Sequence, residues 1–109
     1  MSELVEQVTD ETFDAIVERS QLPYLIEFAS PSCTPCTQLE PVLADIARDL
    51  KGRLRIGRLD ISSSPDTPER LGVRSTPTML LFKAGQPVRR LVGTKNKRNL
   101  LEALSDHMP

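Results

Sequence analysis

The chain is poor in metal-binding side chains, with two cysteines and one histidine among its 109 residues. A structural zinc ion needs four ligands, and the single histidine, His107, lies close to the C-terminal end. The composition therefore argues against a metal site within one chain, and no bound cofactor is expected. A metal or cluster shared by two chains through their cysteines remains an alternative, which a coloured or metal-bearing dimer would reveal.

Long hydrophobic runs and an excess of basic charge are also missing. No apolar stretch approaches the roughly 20 residues that span a bilayer, so we expect no membrane association. The net charge of −1 argues against a nucleic-acid binder, which needs a dominant basic surface. The N-terminal segment Met1–Gln7 is acidic and lacks the basic start and apolar core of a signal peptide. We therefore expect a cytoplasmic monomer with one domain over residues 1–109.

The two cysteines stand three positions apart in Cys33-Thr34-Pro35-Cys36, between an apolar run and a long helical pattern. At the start of a helix, unpaired backbone N–H groups and the helix dipole stabilise a thiolate, the reactive form of cysteine. Pro35 suits the first helical turn, where its missing N–H costs nothing. A purely structural disulfide is disfavoured because loop-closure stabilisation grows with loop length. The pair therefore predicts redox chemistry.

Hydrophobic periodicity predicts an α/β chain in the order β-α-β-α-β-α-β-β-α. The nearly continuous apolar run Tyr24–Ala29 is typical of a central parallel strand covered on both faces. The other predicted strands are Leu4–Val8, Leu54–Ile61, Thr78–Phe82 and Val88–Val92. The helix after Cys33 has the most regular pattern, and Pro41 should kink it. We expect a mixed sheet with helices on both faces and the cysteines at its carboxyl end, where α/β proteins place their sites.

Several motifs along the whole chain resemble the thioredoxin family. They are Leu25–Phe28 leading to Cys33-Thr34-Pro35-Cys36 with Pro41 beyond, Val73–Thr78 as a loop carrying a cis-proline, and Phe82–Gly85 with Val92–Gly93 as a terminal hairpin. The resemblance implies the thioredoxin fold. It also implies that Cys33 is the exposed nucleophile and Cys36 the buried thiol that resolves the mixed disulfide.

The resemblance further implies where a substrate binds. Pro77 matches the cis-proline, and a cis bond would leave the Thr76 backbone free to pair with an extended substrate segment. The alternative for Thr76-Pro77 is an ordinary trans turn. The residues expected to contact substrate are Thr34, Pro35, Thr76, Pro77 and Gly93.

Glu27 interrupts the otherwise apolar strand Tyr24–Ala29. Burial should raise its pKa unless a cation compensates. Arg58, at a position that resembles a lysine of the family, is the candidate cation, whereas the family has aspartate in place of Glu27. We hypothesise that Glu27, tuned by Arg58, accepts and returns the Cys36 proton through water. A purely structural ion pair is the alternative.

The chain departs from the family pattern around the cysteines. It has no tryptophan, and Ser32 and Ala29 stand where the family carries tryptophans, while Thr34 replaces a glycine. The surface around Cys33 should therefore be more polar and offer a partner less aromatic contact area. A basic cluster follows near the last strand and helix, interpreted as a solvated face or as a docking patch for an acidic partner: Arg89, Arg90, Lys95, Lys97 and Arg98.

The sequence thus predicts a thioredoxin-like protein-disulfide reductase that works by dithiol–disulfide exchange and carries electrons in cell redox homeostasis. Its expected partners are disulfide-containing proteins and a reductase or other electron donor. Two alternatives remain open at this point. One is a thiol oxidant or isomerase of an oxidising compartment, and the other is a non-enzymatic binding or chaperone module with the same fold.

Overall fold

The computed structural model describes residues 4–108. The strands are β1 Val5–Val8, β2 Tyr24–Ala29, β3 Arg55–Asp60, β4 Thr78–Lys83 and β5 Gln86–Val92. The helices are α1 Thr34–Asp49, α2 Asp66–Arg70 and α3 Lys97–Ser105, and a short π-helical turn spans Asp14–Glu18. This order of elements is the one that the hydrophobic periodicity predicts.

The strands form one five-stranded mixed sheet in the order β1-β3-β2-β4-β5. The central strand β2 is parallel to β3 and antiparallel to β4, and all six of its residues are buried. Both faces of β2 are therefore covered, which explains why its sequence is almost continuously apolar. The predicted fold class, a mixed sheet of the thioredoxin type, is confirmed.

Two hydrophobic cores lie on the two faces of the sheet, because successive strand side chains point to opposite sides. Leu25 belongs to the core that α1 and α3 cover, together with Leu43, Ile46 and Leu104. Ile26 belongs to the other core, together with residues of the π-helical turn region. Helical segments therefore pack on both faces, as expected.

Two local features differ from the sequence-based expectation. The first predicted helix is a single π-helical turn whose buried contacts come from Phe13 and Val17. Pro87 lies inside β5 rather than in the connection before it, next to a register shift in the β4–β5 pairing. The hairpin turn itself contains Ala84 and Gly85, both with positive φ. Within the described part of the chain, no helix is both long and apolar enough to cross a membrane.

Candidate functional site

Three segments meet at one edge of the sheet. Strand β2 ends at Ala29, and the loop that follows leads to Cys33. Because β4 is antiparallel to β2 and Thr78 pairs with Phe28, the residue before β4, Pro77, lies at the same edge. Val92 pairs with Thr78, which brings the end of β5 there too. The sheet therefore gathers residues from three distant parts of the sequence around the cysteines.

Cys33 and Cys36 form a disulfide with a Cα–Cα separation of 5.3 Å. Cys33 is the N-cap of α1, and its sulfur accepts a hydrogen bond of 3.2 Å from the Cys36 backbone N–H. Cys33 is half-buried, whereas Cys36 is only 2% exposed and belongs to the core-facing side of α1. A thiolate on Cys33 would therefore be both accessible and stabilised by the helix terminus.

Glu27 is completely buried on β2 beneath this disulfide-bearing helix. Its Oε1 atom accepts a hydrogen bond of 3.0 Å from Arg58 Nε, across the β2–β3 pair that places the two residues opposite each other. Among the described residues, Oε2 has no hydrogen-bond partner. Burial raises the pKa of Glu27 above its ordinary value, and the charge and hydrogen bond of Arg58 oppose that shift without cancelling it.

Arg58 is bound by a second carboxylate, which the sequence analysis missed. Its Nη1 donates a hydrogen bond to Glu40 Oε1, and its Nη2 donates one of 3.4 Å to the Cys36 carbonyl oxygen. Burial lowers the pKa of Arg58, but the carboxylates of Glu27 and Glu40 outweigh it and raise the pKa. Glu40 lies four residues after Cys36, so helical spacing places both on one side of α1. That spacing was the signal available in the sequence.

Two clefts border this group of side chains. One, of about 450 Å³, is lined by Glu27, Glu40 and Arg58 together with apolar residues of α1. The other, of about 520 Å³, is lined by Cys36 and Asp60 and again by Glu40 and Arg58. The Glu40–Arg58 ion pair thus lies between solvent and the buried carboxyl of Glu27, and it is shared by both clefts.

The residues expected to contact substrate differ in exposure: Thr76 and Gly93 are half-buried, and Pro77 is buried. Thr34 and Pro35 are exposed in the first turn of α1. The Thr76–Pro77 peptide bond is cis, and the Gly93 N–H donates a hydrogen bond of 2.9 Å to the Pro77 carbonyl oxygen. Val92, which is 56% exposed beside Gly93, was not among the residues expected to contact substrate.

The basic cluster does not form one continuous unpaired patch. Arg90 donates hydrogen bonds to the Leu71 and Gly72 carbonyl oxygens. Lys97 pairs with two carboxylates of α1, and Arg98 pairs with a glutamate one turn further along α3. These ion pairs are exposed and contribute little to stability. They favour the solvated-face interpretation. Among the described residues, no group of three or more histidine, cysteine, aspartate or glutamate side chains is placed to hold a metal ion.

Sequence comparison agrees with this geometry. The thioredoxin family profile matches residues 4–106. A thioredoxin of Mycobacterium tuberculosis is 43% identical over 103 residues, which cover 94% of this chain and 89% of that protein. The chain belongs to the thioredoxin family. A second thioredoxin, of Rickettsia bellii, is 33% identical over 105 residues, which cover 96% of this chain and all of that protein.

Membership of the thioredoxin family indicates which reaction the Cys33–Cys36 pair carries out. Thioredoxins act on disulfide substrates and are reduced by thioredoxin reductase. The protein is therefore a thiol–disulfide oxidoreductase, and Cys33 and Cys36 are its redox-active pair. The oxidant, isomerase and non-enzymatic alternatives are not favoured.

One relative joins two activities in a single chain. The bifunctional thioredoxin reductase/thioredoxin of Mycobacterium leprae is 43% identical over 103 residues, which cover 94% of this chain but only 22% of that protein. The chain thus corresponds to about a fifth of the length of that relative.

Proposed function

We propose that this thioredoxin reduces protein disulfides, with Cys33 as the attacking nucleophile and Cys36 as the resolving thiol. The observation that carries the proposal is the asymmetry of the pair. Cys33 is half-buried at the helix N-terminus, while Cys36 is 2% exposed and one turn further into the helix. Only the first sulfur is accessible to a protein substrate, and it is also the one nearer the helix terminus, which favours a thiolate.

The proposed cycle conserves electrons and protons at every step. The Cys33 thiolate attacks a substrate disulfide, forms a mixed disulfide and releases one substrate thiolate. Cys36 gives its proton to the Glu27 carboxylate through water and attacks the Cys33 sulfur. The Cys33–Cys36 bond forms, the bond to the substrate breaks, and the electron pair leaves with the second substrate thiolate. That thiolate takes up a proton from Glu27 or from solvent.

The proposed substrate surface is formed by residues on both sides of Cys33. Thr34 and Pro35 would contact the substrate from α1, while Thr76, Pro77 and Gly93 would contact it from the opposite side of the disulfide. The hydroxyl groups of Ser32 and Thr34 make this surface more polar than a tryptophan-bearing one. We expect the bound substrate segment to be extended and to pair with the Thr76 backbone.

We propose that the protein is an electron carrier, which passes electrons from a donor to its disulfide substrates. The fusion of a thioredoxin reductase to a thioredoxin in the Mycobacterium leprae relative supports a reductase of that type as the electron donor. We further propose a cytoplasmic monomer in which residues 1–109 form one domain, with no nucleic-acid or membrane partner. The net charge of −1 supports the absence of a nucleic-acid partner.

The test compares Cys33→Ser with Cys36→Ser after full reduction. Cys36→Ser should form a stable mixed disulfide with a chromogenic aryl disulfide, releasing one equivalent of arylthiolate. Cys33→Ser should react about 100-fold or more slowly than the wild type. Its remaining thiol, Cys36, is buried and lies one turn further into the helix. Faster reaction of Cys33→Ser than of Cys36→Ser would reverse the assignment of the two roles.

The direction of the reaction is tested by the reduction potential. Equilibrating the protein in defined thiol–disulfide buffers and counting free thiols should place the couple at about −250 mV or lower, with the reductases. A value of about −120 to −180 mV would contradict the proposal and indicate an oxidant or isomerase.

A further inference from the structure

Arg58 holds three groups at once beneath the disulfide. Its Nε donates to the buried Glu27 at 3.0 Å, its Nη1 to Glu40, and its Nη2 to the carbonyl oxygen of Cys36 at 3.4 Å. The side chain of Arg58 is 21% exposed and that of Glu40 is 47% exposed, whereas Glu27 is inaccessible to solvent. Glu40 therefore binds the guanidinium from the solvent side and Glu27 binds it from inside the protein.

The charges of this group do not balance if all three side chains are ionised. Two carboxylates then share one guanidinium, which is permanently protonated, and one carboxylate lacks a compensating charge. Glu40 is the better solvated of the two, so its charge is the less costly to keep. The group therefore retains a proton most readily on Glu27, whose Oε2 has no hydrogen-bond partner in the described part of the chain.

The other described neighbours of this group do not supply a second cation. From β3, Asp60 lies near Arg58 and accepts hydrogen bonds from the Ser62 backbone N–H and hydroxyl, so it adds negative charge. From β4, the residue opposite Glu27 is the apolar Met79. From α1, the titratable groups on this side are Glu40 and, in the reduced protein, the Cys36 thiol. Arg58 is thus the cation that stabilises the charged form of Glu27, and Glu40 is the carboxylate that competes with Glu27 for Arg58.

We propose that Glu40 is a positioning residue for the dithiol reaction: by binding Arg58 from the solvent side, it neutralises the guanidinium and favours the protonated form of Glu27 beneath Cys36. This inference rests on the proposed function, in which Glu27 exchanges a proton with Cys36. Glu40 acts through its hydrogen bond with Arg58. In the cycle, it leaves the number of protons and electrons unchanged and alters only how readily Glu27 holds its proton.

The test is Glu40→Gln in the oxidised protein. Glutamine keeps an oxygen that accepts the hydrogen bond from Arg58 Nη1, so the guanidinium stays in place while one negative charge is removed. The Glu27 side-chain carboxyl is then titrated by carbon-13 NMR in both proteins. Its titration midpoint should move to lower pH in the variant, since Arg58 is no longer neutralised from outside. An unchanged midpoint, or one at higher pH, would overturn the inference.

The matched control is Asp45→Asn. Asp45 is a carboxylate of the same helix, but it pairs with Arg48 and Lys97 rather than with Arg58. Its removal changes the net charge by the same amount and should leave the Glu27 midpoint in place. An equal shift in the control would show that only the overall charge of α1 acts on Glu27, and the inference would fall.

A kinetic readout separates this inference from the proposed function. If Glu27 takes the Cys36 proton, the rise of the exchange rate with pH should begin at lower pH in Glu40→Gln, with a gain of about threefold on the rising part of the profile. A shifted NMR midpoint together with an unchanged rate profile would uphold the control of Glu27 by Glu40. The same result would contradict the proton transfer through Glu27. Glu40→Asp, whose shorter side chain keeps the charge, should return the midpoint towards that of the wild type.

Discussion

Glu27 Oε1 accepts a hydrogen bond from Arg58 Nε although one side chain is completely buried and the other reaches solvent. Adjacent parallel strands bring the two residues opposite each other, so the pair links the interior beneath the disulfide to the protein surface. Buried ion pairs rarely add much net stability, because desolvation offsets their attraction. The presence of Glu27 in the central strand therefore fits a chemical role better than a stabilising one.

Glu27→Gln should stabilise the protein increasingly as pH rises. The pKa of Glu27 is raised in the folded state, so its contribution to stability is complete below its ordinary value of 4.5 and is lost as pH rises through the folded-state pKa. Glutamine carries no such proton. The difference in unfolding free energy between variant and wild type, measured by urea denaturation from pH 5 to 9, should grow with pH. A difference that stays constant over this range would contradict a raised pKa of Glu27 in the folded protein.

Gly57→Ala should destabilise the protein by about 1–3 kcal/mol. A Cβ at this position would overlap the hydroxyl oxygen of Tyr24 and lie 2.9 Å from a methyl group of Val8. Adding Tyr24→Phe removes the hydroxyl, so the double variant should lose less stability than the sum of the two single variants. Urea denaturation measures all four proteins. Strict additivity would show that the hydroxyl is not the source of the clash.

The control for this substitution is Gly52→Ala. Gly52 has a φ of +86°, and a methyl group added there would meet no neighbouring atom within 4 Å, so the cost comes from the backbone alone. We expect Gly52→Ala to lower the free energy of unfolding by about 1 kcal/mol. This loss should be the same with and without Tyr24→Phe.

Asp10→Ala should cost about 1 kcal/mol by removing a cap from α2. The Asp10 carboxylate accepts hydrogen bonds from the backbone N–H groups of Asp66 (3.1 Å) and Thr67 (2.9 Å), far along the chain. Burial raises the pKa of Asp10, but a hydrogen bond from the Thr67 side chain and those from the two backbone N–H groups outweigh it and lower the pKa. The stabilisation should therefore be complete above the ordinary value of 3.8 and disappear as pH falls through the folded-state pKa.

Thermal denaturation between pH 3 and 7 tests this prediction. Asp14→Ala serves as the control, because Asp14 pairs with the exposed Arg19 and should change stability by less than about 0.5 kcal/mol. Equal losses in the two variants would argue against the cap.

Val92→Asp should weaken the reaction with protein disulfides while sparing small ones. Val92 is exposed beside Gly93, which is hydrogen-bonded to Pro77 at the disulfide edge of the sheet. Burying a carboxylate against a docked protein costs free energy, so KM should rise by about tenfold. A small aryl disulfide does not cover this residue, and its rate should change by less than about twofold.

Val88→Asp is the matched control, since Val88 is exposed on the same strand but near its other end. It should leave both rates close to those of the wild type. Equal effects of the two aspartates on the protein substrate would show that added charge, rather than contact at the disulfide edge, weakens the reaction.

Local sequence patterns accounted for the long elements. Strand β2 is recognisable because burial on both faces requires an uninterrupted apolar run, and α1 because its apolar residues follow helical spacing over four turns. The predicted helix between the first two strands is shorter than its pattern around Phe13 indicates. Its apolar residues do follow helical spacing, but only five residues, Asp14–Glu18, form the helical turn. The hairpin boundary was misplaced because Pro87 can occupy an edge strand, where its missing N–H is not needed for pairing.

The sequence by itself determined the fold class and the reactive pair, since the spacing of the two cysteines at a strand-to-helix junction is a local property. It also identified Glu27 as a charge inside an apolar strand and Arg58 as its candidate partner. Only the tertiary structure decided that Glu40 shares this arginine, and that Val92 is exposed beside the hydrogen-bonded Gly93 and Pro77. These relationships depend on strand order, register and the packing of α1 on the sheet. They join residues far apart in the chain, and no local pattern encodes the distance between them.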